Sequence, residues 1–332
     1  MRIGSSGGGA PTVLALRALG LGDLLTGLPA LRALRNQFPQ HELVLAAPER
    51  FQDVVHLLGC VDRLLPVGAD ARVVPSELLW EGAPPDVAVN LHGRGPQSRE
   101  LLQSRNPGRL LSYGPDGPAW EDDEHERVRW CRLLTWYGIP ADPDDLLLPT
   151  ARDDRRTEFS GPIVLHPGAD AAARRWPVER FARLAEELAG QGHEVVITAG
   201  HGEGRLARHI ALLAGLDESV VRGGEADIPF EALVQLVSEA RALVSGDTGV
   251  AHLAVSLATP SVTLFGPMSP ALWGPPQKSR HAAIWRPDPG DGPRPGDAHA
   301  DVPDPRLLRI SVEEVLGALA DVAPVGASQV QR

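Results

Sequence analysis

The chain has 332 residues, which at about 100–200 residues per domain favours two domains. Hydrophobic residues make up 43% of the chain and charged residues 23%, which excludes fibrous, coiled-coil and wholly disordered proteins. The net charge of −11 comes without a basic cluster, so the sequence disfavours nucleic acid as a partner.

The two cysteines, Cys60 and Cys131, lie far apart in the sequence, which disfavours a disulfide framework and a thiolate zinc site and suits a reducing cytosol. No apolar run reaches the about 18–20 residues of a membrane helix. Arg17 interrupts the first apolar run, which therefore does not resemble a signal peptide. We expect a cytoplasmic protein.

In the first half of the chain, short Leu- and Val-rich runs alternate with helical patterns and with turns of Gly, Pro or Asp. The runs do not alternate in polarity, which is typical of strands buried on both faces of a parallel sheet. Leucines at three- to four-residue spacing predict one helix over Asp23–Gln37. The predicted strands are Thr12–Leu16, Glu42–Ala46, Asp62–Val67, Asp86–Leu91 and Arg109–Tyr113.

The stretch Gly138–Ser160 is rich in proline and charge and lacks periodicity, which indicates a linker between domains. After it the alternation of short apolar runs, turns and helical patterns begins again. We therefore expect an α/β protein with two doubly wound Rossmann-like domains. Their expected ranges are 1–140 and 161–322, with a linker at 141–160 and a tail at 323–332. The second domain is predicted to hold strands Ile163–His166, Glu194–Thr198, Ala242–Ser245 and Ser261–Phe265, and helices Pro177–Ala189, Glu203–Ala214, Thr248–Leu257 and Val312–Ala320.

Two features precede the tail. The stretch Arg286–Arg306 is rich in Pro, Gly and Asp and predicts no regular element. It follows the strands of the second domain, so we expect it near that domain's pocket, either as a lid over a bound ligand or as a surface insertion. The last predicted helix begins with Ser311 as N-cap and Glu314 three residues later, which is a capping box.

The first site candidate is the segment RALGLGD at 17–23, between the first strand and the first helix. Ligands of parallel α/β sheets bind outside the carboxyl ends of the strands. Gly20 and Gly22 permit a tight turn there, and Asp23 follows at the helix start. The glycines do not complete a dinucleotide fingerprint, and the alternative role of Asp23 is a simple helix cap.

The second candidate is VSGDTGVAHL at 244–253, where a strand leads directly into a helix. Free N–H groups and the helix dipole favour an anion such as a diphosphate at this point. Thr248 adds a hydroxyl donor, and His252 lies one helical turn away. The alternative is that Asp247 is an N-cap and His252 a surface residue.

The third candidate is LHPGADAAARRWP at 165–177, which again joins a strand end to a helix start. Arg174 and Arg175 within it carry guanidinium groups that suit phosphate oxygens. The alternative is a solvated basic turn. Phe265, Gly266 and Pro267 end the next strand at the same edge and supply another loop for this pocket.

In combination these motifs resemble glycosyltransferase family 9, the heptosyltransferase-like enzymes of GT-B fold. The similar segments are GLGDLLTGLPAL at 20–31, HPG with RRWP at 166–177, SGDTGVAHLA at 245–254 and TLFGPMSP at 263–270. The resemblance implies two domains that face each other across a cleft.

The resemblance also implies roles for individual residues. Asp23 would be the general base on the acceptor hydroxyl, in an inverting reaction that needs neither metal nor cofactor. Arg174 stands where the family usually has lysine, a change that keeps the charge and alters the contact geometry. The implied donor-binding residues are Gly168, Arg174, Glu203, Asp247, Thr248, Gly249, His252 and Gly266.

The implied partners are a nucleotide-sugar donor, ADP-heptose or similar, and a saccharide or lipid-linked acceptor. The acceptor would lie against Gly22, Asn90 and Arg94, with Asn90 standing where an aspartate is common in the family. Through such an acceptor the protein would touch the inner face of the plasma membrane peripherally.

Two other functions remain open at this point. A sugar-nucleotide epimerase could share the fold, as could a sugar-nucleotide-binding module without catalysis. Asp142 and Asp144 resemble a D-x-D metal motif, but they lie in the predicted linker, so no metal site is expected.

Overall fold

The computed structural model describes residues 10–68, 73–151 and 160–324. The chain divides into two compact units, Met1–Pro149 and Thr150–Arg332. Parts of the predicted linker and tail, at 152–159 and 325–332, lie outside the described residues.

The first unit contains a five-stranded parallel sheet in the order β3-β2-β1-β4-β5. Its core comes from aliphatic strand residues such as Leu14 and Val44, which are completely buried. The elements are β1 Thr12–Leu16, α1 Leu21–Thr26, α2 Leu28–Gln37, β2 Glu42–Ala47, α3 Gln52–Leu58, β3 Arg63–Pro66, β4 Val87–Asn90, α4 Pro96–Gln103, β5 Arg109–Leu111 and α5 Glu126–Trp136.

The second unit contains a six-stranded parallel sheet in the order β11-β10-β9-β6-β7-β8. Helices α6, α7 and α12 contribute to its core. The elements are β6 Ile163–His166, α6 Val178–Gly190, β7 Val195–Ala199, α7 Gly204–Leu213, β8 Val221–Gly223, α8 Phe230–Glu239, β9 Ala242–Gly246, α9 Gly249–Ser256, β10 Ser261–Phe265, α10 Pro270–Trp273, β11 His281–Trp285, α11 Pro305–Arg309 and α12 Val312–Val322.

The predicted α/β class and doubly wound sheets are confirmed. In each sheet the chain starts at a central strand, builds outward to one side and then returns to build the other side. The strand order therefore reverses between β1 and β4 in the first unit and between β6 and β9 in the second. At such a switch point the loops diverge and leave a crevice in which ligands bind.

The prediction of one helix over 23–37 is wrong, because Gly27 separates α1 from α2. Pro29 lacks the N–H group that would continue the helical ladder. Gly27 also leaves room for another side chain, since a Cβ atom there would lie 2.7 Å from Nε of Arg17. The break therefore admits a buried arginine beneath the helix.

The capping box at the end of the chain is confirmed. Ser311 Oγ accepts from Glu314 N–H at 3.2 Å, and Ser311 N–H donates to Glu314 Oε2 at 2.7 Å. The expectation of an irregular segment at 286–306 holds up to Pro305, where α11 begins.

Candidate functional site

Asp23 lies in the first turn of α1, close behind the carboxyl end of β1. Its Oδ2 accepts a hydrogen bond from Gly20 N–H at 3.1 Å, and the residue is half-buried. Gly22 lies in the same turn. Asp23 thus caps its helix and also lies at the switch point of the first sheet. A role as helix cap is therefore compatible with the expected role as general base.

Arg17, the residue directly after β1, is completely buried and holds this edge together. Its guanidinium donates hydrogen bonds to two main-chain carbonyls, Asp23 O and Leu91 O. It also donates to Thr26 Oγ1 at 3.2 Å. One cation thereby joins the loop after β1 to the loop after β4.

Helix α5 supplies the counter-charge for Arg17. Glu126 Oε1 lies 3.2 Å from Nη2 of Arg17 and accepts from Trp130 Nε1 at 2.8 Å. The guanidinium carbon also lies 5.0 Å from the centre of the Trp130 ring. A buried charge is tolerated only with this degree of pairing.

The loop after β4 is organised by Asn90, which is 1% exposed. Its amide donates to Gly93 O at 3.1 Å and to Ser98 Oγ at 2.9 Å, and its Oδ1 accepts from His92 N–H at 3.1 Å. These bonds use both ends of the buried amide, so Asn90 shapes the loop that is expected to border the acceptor.

Arg94 lies further along this loop and is exposed. Its Nη1 is 3.0 Å from Asp122 Oδ1, and its guanidinium carbon lies 5.9 Å from the centre of the Trp120 ring. The charge of Arg94 is therefore shared with an acidic neighbour.

In the second unit, Arg174 and Asp247 meet at the switch point between β6 and β9. Nη1 of Arg174 donates to Asp247 O at 3.3 Å, and Nη2 lies 3.6 Å from Asp170 Oδ2. The Arg174 side chain is 20% exposed, which is too buried for the alternative of a solvated basic turn.

Thr248 is the N-cap residue of α9, whose first residue is Gly249. Within the described parts of the chain, its buried Oγ1 has no hydrogen-bond partner. An unpaired buried hydroxyl costs free energy, and a ligand oxygen at the helix N-terminus would relieve that cost.

The alternative roles of Asp247 and His252 do not match the structure. The cap position belongs to Thr248, and the His252 side chain is only 12% exposed. Nε2 of His252 lies 3.6 Å from Asp247 Oδ1, and its ring packs edge-on against Trp273 with centroids 6.0 Å apart.

Glu203 reaches across to the loop after β6. Its Oε2 accepts from Gly200 N–H at 2.9 Å, and Oε1 lies 3.6 Å from Nη2 of Arg175. A Cβ atom on Gly168 would lie 1.9 Å from Oε2 of Glu203, so any larger residue there would displace this carboxylate. Gly168 and Glu203, distant in sequence, are thus in contact.

Gly266, at the end of β10, contacts the segment before α11. A Cβ atom on Gly266 would lie 2.7 Å from Leu307 Cγ and 3.2 Å from Asp304 Cβ. Helix α11 and Asp304 just before it therefore pack on the loop after β10.

The structure brings the expected residues into two groups. Asp23, Gly22 and the loop carrying Asn90 and Arg94 belong to the first sheet; the eight expected donor-binding residues belong to loops and helix starts of the second. Sequence reasoning placed Arg17 at the start of the first site candidate but assigned it no role there. A charge directly after a buried strand was the available signal.

Metal chemistry has no evident ligand set here. Within residues 10–68, 73–151 and 160–324, no three His, Cys, Asp or Glu side chains group so as to hold a metal ion. Both cysteines are buried, and burial raises the pKa of each thiol to about 12. Nor does any helix in these residues have both the length and the apolar character of a membrane span.

Comparison with known proteins finds sequence similarity to sugar transferases over part of the chain. The model of glycosyltransferase family 9 (heptosyltransferase) matches residues 137–290. Lipooligosaccharide heptosyltransferase 2 of Haemophilus ducreyi is 35% identical over 138 residues, which cover 39% of this chain and 38% of that protein. The chain therefore resembles the heptosyltransferases of glycosyltransferase family 9.

Solved structures share this fold over nearly the whole chain. ADP-heptose lipopolysaccharide heptosyltransferase II of E. coli has a TM-score of 0.69 and 20% identity, covering 94% of this chain and 98% of its own. An E. coli heptosyltransferase solved with ADP has a TM-score of 0.68 and 18% identity, covering 94% of this chain and all (100%) of its own. These neighbours confirm the predicted GT-B fold.

The sequence matches to the first curated relatives span about a third of those proteins, 30% and 38% of their lengths.

Proposed function

We propose that this protein is an inverting glycosyltransferase of family 9. It moves a heptose or a related sugar from a nucleotide-diphosphate sugar to the hydroxyl of a saccharide or glycolipid. The donor binds the second unit, and the acceptor binds the first. ADP-heptose is the first donor to test, because a structural neighbour carries that sugar nucleotide in its name and another was solved with ADP.

The observation that carries this proposal is the group of donors at the second switch point. Arg174, the buried hydroxyl of Thr248 and the start of α9 at Gly249 all lie at the carboxyl ends of β6 and β9. A guanidinium, a hydroxyl and free helical N–H groups together suit the oxygens of a diphosphate. They would stabilise the negative charge that develops on the leaving nucleotide without a metal ion.

The remaining donor residues have supporting roles in the proposal. The Glu203 carboxylate, held against Gly168, is placed to accept hydrogen bonds from ribose hydroxyls. His252 lies beside Asp247 and lines the same switch point. Gly266 admits the segment 286–306 next to it.

Asp23 is the proposed general base. Its carboxylate takes the proton of the acceptor hydroxyl while that oxygen attacks the anomeric carbon of the donor. The bond from this carbon to the diphosphate oxygen breaks, and the nucleoside diphosphate leaves with the electron pair. Attack opposite the leaving group inverts the anomeric configuration. Proton removal and positioning each contribute to the rate.

The setting of Asp23 supports this assignment. Arg17 binds the main-chain oxygen of Asp23, and Gly20 N–H donates to its carboxylate. Asp23 therefore lies on a helical turn that the buried guanidinium of Arg17 holds in place. We further propose that the protein acts in the cytoplasm and meets membranes only peripherally, through its acceptor.

The experiment is a transfer assay with a panel of nucleotide sugars, including ADP-heptose, ADP-glucose, UDP-glucose and GDP-mannose. Each is incubated with and without a lipid-free inner-core oligosaccharide of lipopolysaccharide, and the products are analysed by mass spectrometry and NMR. The proposal predicts acceptor-dependent release of ADP, an inverted anomer in the product and unchanged activity in EDTA.

Three outcomes would contradict the proposal. Conversion of the sugar nucleotide without an acceptor would indicate an epimerase. Binding without turnover of any donor would indicate a binding module. Loss of activity in EDTA, restored by a divalent cation, would contradict the metal-independent mechanism, and Asp142 and Asp144 would then be examined first.

A further inference from the structure

His92 lies at the switch point of the first sheet, two residues beyond β4. Its Nδ1 accepts a hydrogen bond from Ala18 N–H at 3.2 Å, and Ala18 belongs to the loop that leads to Asp23. Leu16 at the end of β1 pairs with Asn90 at the end of β4. The imidazole therefore bridges the two loops that border the crevice.

The backbone on either side of the His92 ring is also fixed. The main-chain N–H of His92 donates to Asn90 Oδ1 at 3.1 Å, and the carbonyl of the preceding residue, Leu91, accepts from Arg17. The same Arg17 holds the main-chain oxygen of Asp23. His92 and Asp23 are thus set by one buried cation, which is the pattern of residues that must keep a fixed mutual geometry.

The contact with Ala18 determines the tautomer of His92. A ring nitrogen that accepts from a main-chain N–H carries no proton, so the proton of the neutral ring is on Nε2. Among the described residues His92 forms hydrogen bonds through Nδ1 and its main-chain N–H but not through Nε2, and Nε2 is not one of the fully buried unpartnered atoms, so it reaches solvent from a half-buried side chain. An N–H donor is therefore presented to solvent at this edge of the sheet.

The ring is also held neutral. Burial, with a contribution from the positive charge of Arg17, lowers the pKa of His92 to about 4. Near neutral pH a proton on Nδ1 would also break the contact with Ala18. A neutral ring protonated on Nε2 donates a hydrogen bond and cannot act as a base through that nitrogen.

We propose that Nε2–H of His92 donates a hydrogen bond to an oxygen of the acceptor saccharide and so orients the attacking hydroxyl toward Asp23. This inference rests on the proposed function, because it assigns a binding role within the acceptor site. The two residues then have complementary roles: Asp23 takes the proton, and His92 fixes the sugar that gives it.

The test compares two substitutions in the full chain, with ADP-heptose and the inner-core oligosaccharide as probes. His92→Phe keeps the ring shape and removes both nitrogens, whereas His92→Gln keeps an acceptor for Ala18 and a donor beyond it. We expect the KM for the oligosaccharide to rise about 10- to 100-fold in His92→Phe, the range for one lost hydrogen bond to a substrate. His92→Gln should stay within a few-fold of wild type.

A purely structural role would give a different pattern. In that case the Kd of ADP and thermal stability would change, while the KM for the oligosaccharide would not. The proposal predicts an unchanged ADP Kd in both variants. His56→Phe, which changes an exposed histidine on α3 of the same unit, serves as the matched control. Equal KM values in wild type and His92→Phe would overturn the proposal.

A second measurement does not depend on turnover. Nitrogen-15 NMR of the histidine rings at pH 7 should show Nδ1 of His92 unprotonated and Nε2 protonated, and the Nε2–H signal should shift on adding the oligosaccharide. A proton on Nδ1, or no shift at saturating oligosaccharide, would overturn the inference. If the wild-type protein transfers no sugar while this signal shifts, the proposed function fails and the binding role of His92 stands.

Discussion

At the residue scale, Arg17 shows how a buried charge can organise a site. Its guanidinium has polar partners on α1, on the loop after β4 and on α5, and the ring of Trp130 lies beside it. Because the cation and its partners are removed from water, the net effect of the group depends on all partners being present. Removing the cation alone should therefore be costly.

We predict that Arg17→Met lowers the free energy of unfolding by about 3–5 kcal/mol, the usual cost of breaking a buried pair from one side. Arg63→Met is the control, since Arg63 pairs with Glu42 at the surface, with side chains 44% and 33% exposed. Its loss should stay below about 1 kcal/mol. Denaturant unfolding measures both. Similar losses in the two variants would contradict the role given to Arg17.

Gly168 gives a second prediction at this scale, for the donor site. In Gly168→Ala the new Cβ would overlap Oε2 of Glu203, so the carboxylate must move. We expect the Kd of ADP, measured by calorimetry, to rise about 10-fold, the effect of losing one good hydrogen bond. Gly190→Ala is the control, because nothing lies within 4 Å of that position. An unchanged Kd in Gly168→Ala would argue against a ligand role for Glu203.

Single residues were predictable from the sequence where the signal was local. Asp23 and Thr248 could be selected because glycine and a helix start accompany them in the chain. The contact between Gly168 and Glu203 could not, because it joins loops that follow different strands. His92 lay inside a segment that the resemblance highlighted, but its tautomer depends on a main-chain N–H 74 residues away.

At the element scale, the buried strands were the most predictable part. The bounds of β1, β6 and β10 match the predicted runs, because a short apolar run between turns has few other interpretations. The break between α1 and α2 was missed because a leucine pattern continues across Gly27. Two elements of the second unit were not predicted, helix α8 at Phe230–Glu239 and strand β11 at His281–Trp285. Both contain fewer buried residues than the central strands of the sheet, so their sequence pattern is weaker.

The segment 286–306 is an element without regular structure that is nevertheless tied to the donor-side loops. Ala173 N–H donates to Ala300 O at 3.0 Å, Ser269 N–H donates to Pro293 O at 2.9 Å, and Gly296 N–H donates to Pro267 O at 3.2 Å. Within the segment itself, Arg306 forms ion pairs with Asp291 and Asp304. These ties favour a role beside the nucleotide over a simple insertion.

We predict that replacing residues 287–305 with a short Gly/Ser linker raises the KM for the donor and the ratio of donor hydrolysis to transfer. The reason is that a loop over the donor excludes water from the reacting carbon. Steady-state kinetics with product analysis measures both quantities. The control replaces the exposed turn 81–84 of the first unit in the same way. Unchanged values in a folded loop variant would show that the segment is only an insertion.

At the scale of the whole molecule, two parallel sheets with the same construction provide two switch points. The sequence predicted two such units because the rhythm of strand and helix restarts after the proline-rich stretch. It did not predict the strand order, which depends on pairing between distant segments such as β6 and β9. The switch points therefore became visible only in the structure, and with them the reason that Asp23 and Arg174 stand where they do.

The stability of the whole molecule should depend on two neutral histidines. Burial lowers the pKa of His166 to about 4, against the opposing effect of a main-chain hydrogen bond with Thr198, and burial likewise lowers the pKa of His92 to about 4. Above pH 6.5 each ring is neutral in both the folded and the unfolded chain. As the pH falls from 6.5 to about 4, the unfolded chain binds protons that the folded protein excludes, so stability is lost.

We predict that His166 alone contributes a loss of about 3 kcal/mol across this window, since one pKa unit corresponds to about 1.4 kcal/mol. Urea unfolding at pH 7 and at pH 4.5 measures the loss, and His166→Gln should reduce it because glutamine does not titrate. The same pH dependence in wild type and in His166→Gln would contradict this account.

The central claim is that Asp23 removes the proton of the acceptor hydroxyl, and one comparison of turnover tests it. In Asp23→Asn the side chain keeps its size and can still accept from Gly20 N–H through Oδ1, but it no longer takes a proton. Asp217→Asn is the control, because Asp217 also caps a helical turn, through Ser219 N–H at 2.9 Å, and no role in the reaction is proposed for it.

The measurement is kcat for sugar transfer from ADP-heptose to the inner-core oligosaccharide, with the Kd of ADP determined in parallel. The account predicts a fall in kcat of about 10²–10⁴-fold in Asp23→Asn, the usual contribution of a general base, with the Kd of ADP and the kcat of Asp217→Asn unchanged. A kcat in Asp23→Asn within a few-fold of wild type would contradict the account and leave Asp23 as a helix cap.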